Sequence, residues 1–227
     1  MNEQFFIFAG GIGNRLKCLN IPKALAPIPV GKGMEPILSR IQRLIRRDDF
    51  TLCLGWEAQL FNERWPDQEK MITYDPANPT GAAECLRLIL NTNYDRYTVL
   101  LGDVVWSKAA MTHFLDTRMQ ADIVFYHDRH PSYSETYALS ISASVRDQLL
   151  ADFNVETIPA LPGCISKYHV QEVAFTFARL GGIEKLIDES HRYNKKRINK
   201  FQTVDDIDTD EQYLTAIKNI IGGMYDA

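Results

Sequence analysis

Apolar residues near the start of the chain fall in an unbroken run, Phe5-Phe6-Ile7-Phe8-Ala9, bounded by polar residues on one side and Gly10-Gly11 on the other. A half-exposed strand would alternate apolar and polar positions, so an unbroken run predicts a strand buried on both faces. Met34–Arg47 changes the period: Ile37, Leu38, Ile41, Leu44 and Ile45 recur at helical spacing, and basic residues close the segment where helix carbonyls are unpaired. The same two periods then trade places along the chain. Phe50–Gly55 reads as a strand, Glu57–Trp65 as a short helix stopped by Pro66, and Lys70–Tyr74 as a strand. Gly81–Asn91 is a helix with a broad apolar side (Ala82, Cys85, Leu86, Leu88, Ile89). Tyr97–Leu101 is a strand ending at Gly102-Asp103, and Ser107–Met119 is a helix that Ser107 can cap. Asp122–Tyr126 and Tyr137–Ser142 are further strands, Arg179–Arg192 and Thr209–Ile221 further helices, the last closed by Gly222-Gly223.

Alternating strands and helices imply a three-layer, Rossmann-like α/β fold: a mixed, mainly parallel sheet with helices on both faces. No Gly/Ser-rich or Pro-rich linker and no internal repeat interrupts the pattern, so residues 1–227 are expected to form one domain. In sheets of this kind ligands lie at the carboxyl ends of the strands. Gly10–Lys23 and Asp103 both follow such ends, so two segments read from different signals converge on one edge. Asn154–Gly163, with Pro159 and Pro162, is the least regular stretch and a candidate loop over that edge.

Composition narrows the function. Of 227 residues 45% are hydrophobic, enough for a sizeable core and against bulk disorder. A net charge of −4 argues against nucleic acid or an anionic membrane as partner. Met1-Asn2-Glu3-Gln4 lacks the basic start of a signal peptide, and no run approaches the roughly 20 apolar residues of a membrane span. A cytoplasmic protein is the expectation. Cys18, Cys53, Cys85 and Cys164 are far apart, form no Cys-x-x-Cys pair, and read as free thiols rather than a zinc site.

The chemistry begins in the loop after the first strand, Gly10-Gly11-Ile12-Gly13-Asn14-Arg15-Leu16, followed by Pro22-Lys23-Ala24-Leu25. Glycines let backbone N–H groups approach an anion closely, and arginine and lysine add charge and donors. A P-loop needs Gly-Lys-Ser/Thr after its second glycine, which is absent. The dinucleotide fingerprint needs a third glycine opening a helix and a later acidic residue, whereas Arg15 and a Pro-Lys pair stand here.

Two glycines, arginine and Pro-Lys-x-Leu in one loop resemble the signature of the nucleotidyltransferases that make activated sugars and alcohols, Gly-Gly-x-Gly-x-Arg-(Leu/Met/Phe)…Pro-Lys-x-Leu. Ala26–Leu38 is similar to that family's short strand, turn and helix start. Leu101-Gly102-Asp103 looks like the family's strand-end metal aspartate, and Val204–Leu214 like its late acidic motif. Asn78-Pro79-Thr80-Gly81-Ala82-Ala83-Glu84 resembles its helix entry toward the nucleotide base or ribose.

The resemblance implies a reaction between an NTP and a phosphorylated sugar or small alcohol, with release of pyrophosphate. Such a reaction needs charge neutralisation, in-line alignment and Mg²⁺ held by carboxylates, with no covalent enzyme intermediate. It implies Arg15 on the pyrophosphate portion and Lys23 as a point charge near the α-phosphate. Ala9, Gly10, Gly11, Gly13, Asn14, Thr80, Gly81, Ala82 and Gly102 would line the nucleotide, and Asp103, Asp206 and Asp208 would be metal ligands, Asp206 aligning ahead of Asp208. The acidic segment also has a purely structural reading, a helix start with Thr209 and Gln212 as a capping box. The basic cluster Arg192, Lys195, Lys196, Arg197 and Lys200 reads either as a solvated helix end or as a contact for an anionic substrate. Homodimers are common for such domains, and one is a further expectation.

This chain departs from the family pattern. Asn14 stands where threonine or serine is usual, the loop before Pro22 lacks the common early proline, and no Glu-Lys-Pro segment is evident, Lys167 being nearest by position. The base and the acceptor therefore stay open. Two other classes compete: a glycosyltransferase using a nucleotide-sugar donor, and a non-catalytic nucleotide-binding relative.

Overall fold

In a computed structural model of the chain, residues 2–10, 16–72, 82–130, 133–152, 195–199 and 204–225 are described. Seven strands form one sheet: β1 (Glu3–Phe8), β4 (Phe50–Leu54), β5 (Glu69–Ile72), β6 (Arg96–Leu101), β8 (Ile123–His130), β9 (Tyr133–Ser142) and β10 (Lys195–Asn199). The order across the sheet is β10-β8-β9-β6-β1-β4-β5. β1 runs parallel to β4 and β6, and β4 parallel to β5, while β9 is antiparallel to both of its neighbours. The fold is the mixed, mainly parallel, three-layer α/β architecture expected from the sequence.

The unbroken apolar strands feed two cores. Phe5 and Ile7 of β1, with Phe50, Leu52 and Leu54 of β4 and Leu100 of β6, face one side of the sheet. Helices α1 (Ile37–Ile45), α3 (Lys108–Thr117) and α5 (Asp210–Ile221) cover that side. Phe6, Cys53, Tyr97 and Val99 alternate onto the other side, under α2 (Ala82–Leu90) and α4 (Arg146–Asp152). Burial on both faces is why these strands carry no polar alternation.

Four local expectations are corrected. Met34 to Pro36 is not helical: β3 (Gly33–Pro36) pairs with β2 (Pro27–Val30) in a hairpin, and α1 starts only after Pro36, whose ring cannot occupy a helix interior. The helix expected over Glu57–Trp65 is a single 3-10 turn at Ala58–Phe61. Tyr137–Ser142 is the end of a longer strand. The basic residues at 195–199 form β10 rather than a helix end, at the described edge of the sheet, where lysines are well suited to blocking further pairing. Thr73, Tyr74, Gly81, the loop 154–163, Lys167, the helix expected over 179–192, and Arg192 and Lys200 of the basic cluster lie outside the described residues.

Two short strands went unread. β7 (Val104–Trp106) follows Asp103 directly and pairs antiparallel with β11 (Val204–Asp206), with Val104 opposite Asp206. This two-stranded ladder brings the late acidic segment to the carboxyl end of β6.

Candidate active site

The strand order turns back on itself between β1 and β6. From β1 the chain runs outward to β4 and β5, and from β6 it runs to the other side. The crevice outside the carboxyl ends at such a switch point is where open α/β sheets bind ligands. β1 and β6 reach it together, with Phe8 opposite Leu101. Ala9-Gly10 follows β1 and Gly102 follows β6, and both glycines are closely approached by backbone. A Cβ on Gly102 would lie 2.8 Å from the Phe8 carbonyl oxygen, and one on Gly10 would lie 3.0 Å from the Gly55 amide nitrogen.

Pro22 opens a tight turn at Lys23–Leu25, in which Leu25 N–H donates to the Pro22 carbonyl at 2.8 Å and Ala26 N–H to the Lys23 carbonyl at 2.9 Å. Ala24 is buried directly against Gly102. With Ala24 pinned there, the preceding Lys23 is delivered to the crevice. Its ammonium donates to Asp103 Oδ2 at 3.2 Å and also to Asp208 Oδ1. The Lys23 side chain is only 10% exposed, Asp208 14% and Asp103 25%, so the three charges meet away from bulk water.

Asp208 owes its place to a series of fixed contacts. β11 is held on β7, and Ile207 N–H donates to the Asp103 carbonyl at 3.2 Å while its side chain is fully buried. Beyond Asp208, Thr209 and Gln212 form the expected capping box: Gln212 N–H donates to Thr209 Oγ1 at 3.2 Å, and Gln212 Oε1 accepts from Thr209 N–H at 2.8 Å and Asp208 N–H at 2.9 Å. Tyr213 hydroxyl donates to the Pro27 carbonyl at 2.5 Å and moors α5 to β2. Helix capping and site assembly are therefore one structure, not alternatives.

The sequence-predicted residues divide as follows. Ala9, Gly10, Lys23, Gly102, Asp103 and Asp208 come together at the carboxyl ends of β1 and β6. Asp206 contributes backbone to β11, opposite Val104. Ala82 is the first residue of α2. Gly11, Gly13, Asn14, Arg15, Thr80 and Gly81 lie outside the described residues.

One contact was not anticipated. Asp210, in the first turn of α5, accepts from the Cys18 N–H at 3.0 Å and ties the signature loop to the late acidic motif. Nothing in the sequence marks this beyond an acidic residue at a helix start. Partial desolvation and the neighbouring Asp210 push the thiol of the exposed Cys18 up, away from the thiolate form a nucleophile needs. Cys18, Cys53 and Cys85 are free thiols, and among the described residues no group of three His, Cys, Asp or Glu side chains could hold a metal. No described helix is long and apolar enough to cross a membrane.

No family model matches the sequence, and no curated protein matches it. Solved structures do. CTP:phosphocholine cytidylyltransferase (LicC) from Streptococcus pneumoniae is 14% identical, with TM-score 0.61 over 97% of this chain and 100% of that one. HddC from Yersinia pseudotuberculosis, solved with GMP-PN, is 15% identical, with TM-score 0.57 over 97% and 100%. Rv0371C from Mycobacterium tuberculosis H37Rv, solved with manganese, is 17% identical, with TM-score 0.60 over 96% and 98%. The chain thus shares its fold, across nearly its whole length, with structures that include nucleotidyltransferases.

Proposed function

We propose that residues 1–227 form one catalytic domain that transfers a nucleoside monophosphate from an NTP to a phosphorylated sugar or small alcohol and releases pyrophosphate. The observation that carries this reading is the meeting of Lys23, Asp103 and Asp208 at the β1–β6 switch point. They arrive from three separate segments, each part of the resemblance to sugar- and alcohol-phosphate nucleotidyltransferases. The nucleotide in one structural relative and the manganese in another support a site for both.

In the reaction an oxygen of the acceptor phosphate forms a bond to the α-phosphorus, and the bond from that phosphorus to the pyrophosphate oxygen breaks. The work of the protein is alignment and charge neutralisation. Gly10 and Gly102 let the strand ends close tightly on neighbouring backbone, which sets the floor on which the nucleotide would lie. Lys23 carries a point charge to the phosphates. Arg15 serves the departing pyrophosphate.

The donor set fits Mg²⁺. That ion takes one or two carboxylates and completes its shell with water and substrate phosphates. Asp103 and Asp208 supply such a pair, and Asp206 is the other carboxylate of the motif. When bound, Mg²⁺ would neutralise phosphate charge. Asp103 and Asp208 would hold it and thereby orient the triphosphate.

The test is a pyrophosphate-release screen of the four NTPs and dTTP against phosphorylated sugars and alcohols. Acceptor-dependent release with one pair identifies the substrates. Hydrolysis of a nucleotide-sugar with no release from any NTP favours a glycosyltransferase instead.

A further inference from the structure

We propose that Lys23 is a placeholder cation, holding Asp103 and Asp208 in the metal-binding arrangement until a divalent ion displaces it. The inference rests on the metal reading of these two carboxylates and adds the order in which the site fills. Two carboxylates converging on one point in a poorly hydrated crevice repel each other, and burial makes each charge costly unless paired. The Lys23 ammonium answers both problems. It hydrogen-bonds Asp103 Oδ2 at 3.2 Å and Asp208 Oδ1 at once, from a side chain that is 10% exposed. A compact ammonium with three donors suits a position between two oxygen acceptors.

The same oxygens are the ones that a divalent ion held by Asp103 and Asp208 would take. An ammonium and a metal dication cannot both sit between them, because like charges at that separation repel and the oxygens' lone pairs are shared. Metal entry therefore requires the Lys23 ammonium to leave. Its backbone is fixed by the Pro22 turn and by Ala24 against Gly102, so the ammonium can leave only by rotation of its four-carbon stem about its torsions. An arriving triphosphate provides what the displaced ammonium needs, a new anionic partner. Metal alone must displace Lys23 from both carboxylates without bringing a new anion to it. The chain is thus built to favour metal bound together with nucleotide over metal by itself.

Metal binding without nucleotide tests this directly. Free Mn²⁺ is titrated by its electron paramagnetic resonance signal into the wild-type chain, Lys23→Met and the double variant Lys23→Met/Asp103→Asn. Removing the competing ammonium is expected to tighten Mn²⁺ binding about tenfold, within the usual range of coupling between two ligands of one site. The gain should vanish in the double variant. Mn²⁺ should also raise the melting temperature of Lys23→Met more than that of the wild type, since the variant has two carboxylates without their lysine. Lys23→Gln, which keeps a hydrogen-bond donor, replaces the methionine variant if that one does not fold. Equal Mn²⁺ affinity in wild type and folded Lys23 variants overturns the placeholder role and leaves the metal site standing. Mn²⁺ binding that persists unchanged in the double variant overturns the metal site itself, and the placeholder with it.

Discussion

The Gly102 N–H donates to the Phe8 carbonyl at 2.8 Å, and a Cβ on Gly102 would approach that same oxygen to 2.8 Å. This one contact joins the ends of β1 and β6 and sets where Asp103 begins. Replacing glycine by alanine usually stabilises a chain by about 0.4–1 kcal/mol through the unfolded state. Here the clash with rigid backbone outweighs that gain. Gly102→Ala is expected to cost about 2 kcal/mol net, in line with overpacked sites, and to lower the melting temperature. Because the backbone shift falls on the residue before Asp103, pyrophosphate release should drop as well. Wild-type stability and turnover in Gly102→Ala contradict the close-approach argument.

Asp210 tethers the signature loop at the Cys18 amide, 3.0 Å away. Hydrogen bonds from the Cys18 backbone and side chain hold its carboxyl below the usual range. Loss of the tether loosens the loop that carries the phosphate-binding residues while leaving the core untouched. Asp210→Ala should therefore raise the KM for NTP about tenfold, as small misplacements of positioning groups do, with little change in melting temperature. Asp210→Asn keeps an oxygen acceptor and should fall between the two. A steady-state measurement showing the wild-type KM in Asp210→Ala excludes the tether from function.

Much of this was legible in the chain, for physical reasons. β1, β4 and β6 are buried on both faces, so unbroken apolar runs disclosed them. Gly102-Asp103 ended such a run, which placed Asp103 at a strand end. β7 and β11 escaped because each is three residues long and gains its order only from the other. Val204-Asp205-Asp206 looks locally like the polar approach to a helix, and only its partner makes it a strand. That ladder sets Asp206 opposite Val104, and two residues on Asp208 meets Lys23. The hairpin β2–β3 was absorbed into α1 because Met34 fits a helical apolar stripe, although Pro36 is a signal against it. Lys195–Asn199 carried no apolar pattern, since an edge strand needs none.

Glu3 sits at the opposite end of β1 from the site. Arg118 forks onto it at 2.8 and 2.9 Å, the Thr98 hydroxyl donates at 2.8 Å, and Arg47 lies at 3.7 Å. Burial pushes the Glu3 carboxyl up, but these donors and cations outweigh it and hold it below its ordinary value. A carboxylate depressed in the folded state stabilises above its unfolded pKa, about 4.3, and loses that contribution as pH falls through the folded value. Removing one partner of such a pair costs about 3 kcal/mol. Urea unfolding of Glu3→Gln should show a deficit of that size at neutral pH, narrowing below about pH 4.3. A deficit that is constant with pH would show that Glu3 acts through packing and not through its charge.

Pyrophosphate release from the NTP and acceptor pair found by screening, compared between the wild type and Asp103→Ala, tests the central claim most directly. Lys23 keeps Asp208 as its partner when Asp103 is replaced, so the variant should leave the fold intact by circular dichroism. The account predicts acceptor-dependent release by the wild type in Mg²⁺ and a loss of about a hundredfold or more in the folded variant, the scale on which removal of preorganised electrostatic groups is felt. Undiminished release by Asp103→Ala contradicts it.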